Sequence, residues 1–154
     1  MIRLVVFDAY GTLFDVYSVS AMAETLFPGH GSALSVLWRD KQIEYSRLVT
    51  MSDPLNPLGS RNYQSFCDLT RLGLQYACQK LELELTPPKQ KQLMDQYAQL
   101  KPFEENKEVL QHLQAIGMRC AILSNGSPDM LAKAVSSAGM TSLIDKVLSV
   151  DEVR

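Results

Sequence analysis

Two short stretches of this chain, Asp8-Ala9-Tyr10 and Ser124-Asn125-Gly126, carry residue types that can do chemistry together. The first supplies a carboxylate, the second a hydroxyl and an amide, and both offer backbone N–H groups. Brought to one spot, these groups make an anion-binding pocket that bears a nucleophile. Each stretch also has a plainer reading. Taken alone, Asp8 is explained as well by a turn or a helix cap as by a nucleophile. Ser124-Asn125 can cap the helix that follows, although Ser127 before Pro128 is better placed for that. Cys67, Cys78 and Cys120 form no CxxC pair, and His30 and His112 sit in a Gly-rich loop and mid-helix with nothing to tie them to a thiol. The cysteines therefore read as free buried thiols of a reducing compartment, with the cytoplasm as the default location.

The elements around these stretches decide whether they meet. Ile2 to Phe7 is an apolar run broken only by Arg3 and ending at Asp8, the pattern of a strand buried on both faces of a parallel sheet. Ala9-Tyr10-Gly11-Thr12 follows as a turn. From Ser18 the pattern becomes helical. Ser18 is placed to cap a helix to about Phe27, and Ser32 a second one bearing Leu34, Trp38, Tyr45 and Leu48. Residues 53–59 read as a loop from their Pro, Asn and Gly content. Helix resumes over Tyr63 to Leu81, and Thr86-Pro87 opens another to about Leu100. Beyond Pro102 the order is helix (Glu104 to Ile116), strand (Met118 to Leu123), helix from Ser127-Pro128 to Gly139, and strand (Lys146 to Val150). That alternation predicts an α/β fold with a Rossmann-like parallel-sheet core. The core takes residues 1–17 and 99–154, and an inserted helical cap takes 18–98. In open parallel sheets ligands bind beyond the carboxyl ends of the strands, where both tripeptides fall.

With 46% hydrophobic and 21% charged residues the composition is that of an ordinary globular protein. The 15 basic and 17 acidic residues form no long run of either sign, which argues against a nucleic-acid partner. No apolar stretch approaches the roughly 20 residues of a membrane span, and the N-terminal run is too short for a signal peptide.

Phe7-Asp8-Ala9-Tyr10-Gly11-Thr12-Leu13-Phe14-Asp15 closely resembles the first motif of the haloacid dehalogenase-like superfamily, and Leu123-Ser124-Asn125-Gly126 resembles its second. Leu37-Trp38-Arg39-Asp40-Lys41-Gln42-Ile43-Glu44-Tyr45 looks like the cap helix of the L-2-haloacid dehalogenases. The resemblance runs the whole length. It implies a covalent nucleophile at Asp8, oriented by Thr12. Tyr10 points within the superfamily: phosphatases usually carry a second Asp there to protonate a leaving alkoxide, whereas a departing halide needs no proton. The resemblance thus implies neither magnesium nor another cofactor. Its substrate is a short L-2-haloacid, its second reactant water, and its product a 2-hydroxyacid formed with inversion at C2.

In that reading Asp8 displaces halide from the sp³ carbon in a dry pocket. Arg39 holds the halide, with Asn125 and an apolar wall that includes Phe66. Ser124 and the N–H groups of Ala9 and Tyr10 hold the substrate carboxylate. Arg39 taken alone reads as a solvated charge, Trp38 and Tyr45 as packing residues, and Lys41 and Gln42 carry no role. The resemblance also implies a cleft between core and cap, a cytoplasmic bacterial enzyme and a homodimer. The family's catalytic Lys and its Ser/Asn/Asp cluster have no counterpart up to Arg154, and Asp15 and Asp151 are wrongly placed to replace them. The expectation is therefore a fragment lacking roughly 60 residues, with at most a single turnover. The alternatives are a magnesium-dependent phosphatase of the same fold and a non-catalytic fragment that dimerises through its cap.

Overall fold

The structure is a computed structural model that describes residues 3–53, 55 and 60–152. The loop expected at residues 53–59 lies largely outside the described residues. In chain order the elements are β1 (Leu4–Phe7), α1 (Ser20–Leu26), α2 (Gly31–Met51), α3 (Phe66–Lys80) and α4 (Pro87–Tyr97). Then come α5 (Asn106–Ala115), β2 (Arg119–Ser124), α6 (Pro128–Ser137) and β3 (Lys146–Ser149), with 3₁₀ turns at Val16–Val19 and Val150–Glu152. The three strands lie in the order β1-β2-β3 and both pairs are parallel. The fold is an α/β, Rossmann-like core interrupted by a helical insertion. The described residues up to Val16 and from Ala98 onward form one compact unit, and Tyr17–Tyr97 form a second.

In the sheet unit α5 packs on β2 and α6 on β3. Both connections step the same way across the sheet, and right-handed crossovers place both helices on the same face. The central strand is accordingly the buried one, with Cys120, Ile122 and Ser124 all under 5% exposed. β1 departs from the expected burial on both faces. Among the described residues it has a neighbour on one side alone, and Leu4 and Val6 are 43% and 49% exposed. Its run of apolar residues reports a strand suited to a parallel sheet, and its edge position agrees with the expectation, drawn from the strand order that the resemblance implies, that the strand bearing Asp8 stands at an exposed edge. Leu123 and Leu148, paired across β2 and β3, are exposed on that same open face.

The helical unit forms around α2 and α3, which pack on each other, with α1 against α2 and α4 against α1 and α3. Two expected caps differ. Ser18 does not cap α1, because the chain enters that helix from the 3₁₀ turn and the cap position is Val19, already helical and without a side-chain cap bond. Ser32 lies inside α2, whose cap position is His30. The orphan amides there are taken by Glu24, one helix earlier, whose carboxylate accepts from Gly29 N at 2.6 Å and Gly31 N at 2.8 Å. α3 starts at Phe66 rather than Tyr63, where Ser65 Oγ accepts from Asp68 N. α4 stops at Tyr97, and β3 gives way to the 3₁₀ turn at Val150.

Candidate active site

β1 ends at Phe7, which pairs with Ile122, so Asp8 leaves the sheet beside the end of β2. Ser124 closes β2 and pairs with Ser149, which closes β3. The parallel register therefore sets Asp8, Ser124 and Ser149 at one carboxyl edge, the edge at which such sheets bind ligands. Asp8 itself is exposed while Ala9 and Tyr10 behind it are buried. The turn after the carboxylate is tightly made. Ala9 O accepts from Leu13 N and Phe14 N, both at 2.9 Å, and Gly11 N donates back to Phe14 O at 2.8 Å. Gly11 holds φ at +94°, a conformation that side-chain-bearing residues resist. Asn106 at the start of α5 fastens the turn from outside, its Nδ2 donating to Leu13 O at 2.7 Å and Thr12 O at 3.2 Å. Thr12 stays exposed on this turn.

The second tripeptide is fixed by packing as much as by hydrogen bonds. Ser124 Oγ accepts from Gly126 N at 3.2 Å, closing a small side-chain turn that leaves Asn125 exposed. Gly126 has no room for a side chain, since a Cβ there would lie 2.7 Å from Tyr10 Cε2 and 2.9 Å from Leu131 Cδ2. The Tyr10 ring thus wedges the Asp8 turn against the Ser124 turn, with Phe14 behind it at 6.5 Å between ring centres. Ser149 completes the arrangement: its Oγ donates to Gly126 O at 2.6 Å and accepts from Asp151 N at 3.1 Å. Sequence reasoning missed Ser149, Asn106 and the packing role of Gly126. A polar residue closing the third strand, as Ser124 closes the second, was the available signal for Ser149. Ser127 takes the cap position of α6 with extended backbone but makes no side-chain cap bond.

The structure thus gathers Asp8, Ala9, Tyr10, Thr12, Ser124 and Asn125 in the sheet unit. Arg39 and Phe66 belong to the helical unit. Arg39 is half-buried on α2 and its Nη1 donates to Gln42 Oε1 at 2.6 Å. Phe66 is buried at the start of α3. Trp38 is fully buried and packs on Tyr97, and Tyr45 meets Tyr76 edge-on, so both are packing residues. Lys41 pairs with Glu44 and lies over the Tyr76 ring. The thiols suit the core: burial pushes Cys78 up to about 11 and, with the nearby Asp145 charge, raises Cys120 as well. A thiol that resists ionisation is a poor nucleophile.

A family model of the haloacid dehalogenase-like hydrolases matches residues 2–154. The chain belongs to this family. Among curated family members, the (S)-2-haloacid dehalogenase of Pseudomonas sp. strain YL is 40% identical over 99% of the chain and 62% of its own length. Among solved structures, an L-2-haloacid dehalogenase superposes with a TM-score of 0.91 at 55% identity, over 99% of this chain and 66% of that one. The L-2-haloacid dehalogenase of Xanthobacter autotrophicus with chloropropionic acid covalently bound gives a TM-score of 0.87 at 39% identity, covering 99% and 58%. The chain therefore spans about three fifths of the length of these haloacid dehalogenase-like relatives. None of the helices among its described residues is long and apolar enough to cross a membrane.

Proposed function

We propose that this chain carries the nucleophile and the carboxylate-binding turn of a hydrolytic L-2-haloacid dehalogenase. Asp8 displaces halide from C2 with inversion, and water hydrolyses the resulting ester to release the 2-hydroxyacid. The observation that carries this reading is Tyr10. The position two residues after the nucleophile, where a phosphatase of this family would place its acid, holds a buried aromatic ring wedged between Gly126 and Phe14. A halide leaves as a stable anion and needs no proton there. The covalently bound chloropropionic acid in the Xanthobacter relative supports an ester intermediate.

In this reading Thr12 orients Asp8, and Ser124 with the Ala9 and Tyr10 amides binds the substrate carboxylate. Arg39, Asn125 and Phe66 receive the halide. The division into a core of residues 1–17 and 99–154 and a cap of 18–98 belongs to the same proposal. So does a cytoplasmic homodimer joined through the helical unit, for which exposed Leu48, Met51 and Leu72 on α2 and α3 are the support. Halide release from (S)-2-chloropropionate, abolished by Asp8→Asn, tests the reaction. Magnesium-dependent phosphate release with no halide release would overturn it. Light scattering tests the dimer, which Leu48→Lys with Leu72→Lys should dissociate.

A further inference from the structure

We propose that Gln42 and Tyr97 are positioning residues that hold the Arg39 guanidinium in one orientation, with Thr70 setting which way the Gln42 amide faces. The inference deepens the halide role proposed for Arg39 and rests on it for its functional consequence alone.

Gln42 is fully buried in the helical unit, as are Thr70 and Trp38, and Tyr97 is nearly so. Polar side chains persist in such a place when their bonds are all made. Here the bonds have a direction. Thr70 Oγ1 donates its single proton to Phe66 O at 2.6 Å, so it can meet Gln42 as an acceptor alone. The Gln42 Nε2 therefore faces Thr70, in a short hydrogen bond, and Oε1 is turned the other way. That oxygen receives Arg39 Nη1 at 2.6 Å and the Tyr97 hydroxyl at 2.8 Å. Tyr97 also bonds to Arg39 directly. Burial raises the Tyr97 phenol above its ordinary value, which keeps it protonated and donating to Gln42.

The frame that carries the network is rigid. Trp38 Nε1 donates to Thr70 O at 2.7 Å, and the Trp38 and Tyr97 rings lie 4.9 Å apart. Gly73 lets α2 and α3 approach, for a Cβ there would stand 3.2 Å from Trp38 O and Gln42 N. A guanidinium held by a fixed acceptor and a fixed phenol loses little further freedom when an anion binds. A solvated arginine would have to be ordered by the halide itself.

The test uses Tyr97→Phe, which keeps the ring, and Thr70→Val, which keeps the shape but removes the lock on Gln42. Arg39 guanidinium nitrogens are followed by NMR, with bromide as the anion probe and the unfolding midpoint measured in parallel. The wild type should show slow guanidinium rotation. Both variants should rotate at least about tenfold faster and bind bromide about tenfold more weakly, the loss of one bond to a charged group. Tyr97→His, which restores a donor, should recover part of the effect. Unchanged Arg39 rotation in both variants, with folding intact, overturns the proposal. Faster rotation with unaltered bromide affinity supports the network and removes Arg39 from the halide site, so the two readings fail separately. If the variants do not fold, the wild type decides: fast rotation of the Arg39 guanidinium in the folded native chain would also overturn the proposal.

Discussion

Gly126→Ala is the perturbation that bears hardest on how the two turns are joined. The new methyl would stand 2.7 Å from Tyr10 Cε2, 2.9 Å from Leu131 Cδ2 and 3.0 Å from Leu131 Cγ. Tyr10 is 4% exposed and backed by Phe14, and Leu131 is fully buried, so neither can step aside freely. Overpacking of this kind costs about 1–3 kcal/mol. Replacing Gly by Ala stiffens the unfolded chain and returns about 0.4–1 kcal/mol. At their central values these leave a net loss of about 1.3 kcal/mol, and with about 2–4 °C per kcal/mol for a chain of this size the melting midpoint should fall by about 3–5 °C. Differential scanning calorimetry measures it. Adding Tyr10→Leu removes the nearest clashing atom, so the two costs should fall short of their sum by at least about 0.5 kcal/mol. A midpoint that stays level or rises in Gly126→Ala, or strict additivity in the double variant, would refute the wedge.

Glu24→Gln should weaken the start of α2 at neutral pH. The Gly29 and Gly31 amides that Glu24 accepts hold its carboxyl below the ordinary 4.5, so its stabilisation is present above that value and is lost as pH falls through the depressed one. Urea titrations should separate the variant from wild type at pH 7 and bring the two together in strong acid. A gap that persists unchanged in acid would show that the charge is not what caps α2. Asn106→Ala removes the donor to Leu13 O and Thr12 O and should cost about 0.5–1.5 kcal/mol. Hydrogen exchange at the Leu13 and Phe14 amides should quicken with it, and unchanged exchange would mean that α5 does not fasten the turn.

Much of the architecture was legible because it rests on local pattern. The apolar runs that stop at Asp8 and Ser124 marked parallel strands, and Pro87, Pro128 and Gly139 bounded helices, since backbone chemistry at those residues leaves few options. What sequence did not show depends on contacts between distant residues. β1 reads as a buried strand, yet its burial is decided by its neighbours and not by its own residues. Ser32 looked like a cap, but Glu24 reaches the amides of the next helix first. In the candidate site, the motif around Asp8 and Ser124 was plain, whereas Gln42 was passed over. Its place four residues after buried Trp38 was the missed sign, for that spacing puts it on the inner face of α2. Asn106 acts through the backbone carbonyls of Thr12 and Leu13, far away in sequence, which no local pattern announces.

The claim that Asp8 becomes esterified is tested most directly by reacting stoichiometric protein with (S)-2-chloropropionate in water enriched in heavy oxygen, quenching, and mapping peptides by mass spectrometry. The account predicts that the peptide containing Asp8 carries either the propionate ester or, after hydrolysis, one heavy oxygen in the Asp8 carboxylate, and that Asp8→Asn shows neither. Heavy oxygen delivered straight to the product with Asp8 unmarked, or an adduct on another residue, would contradict it.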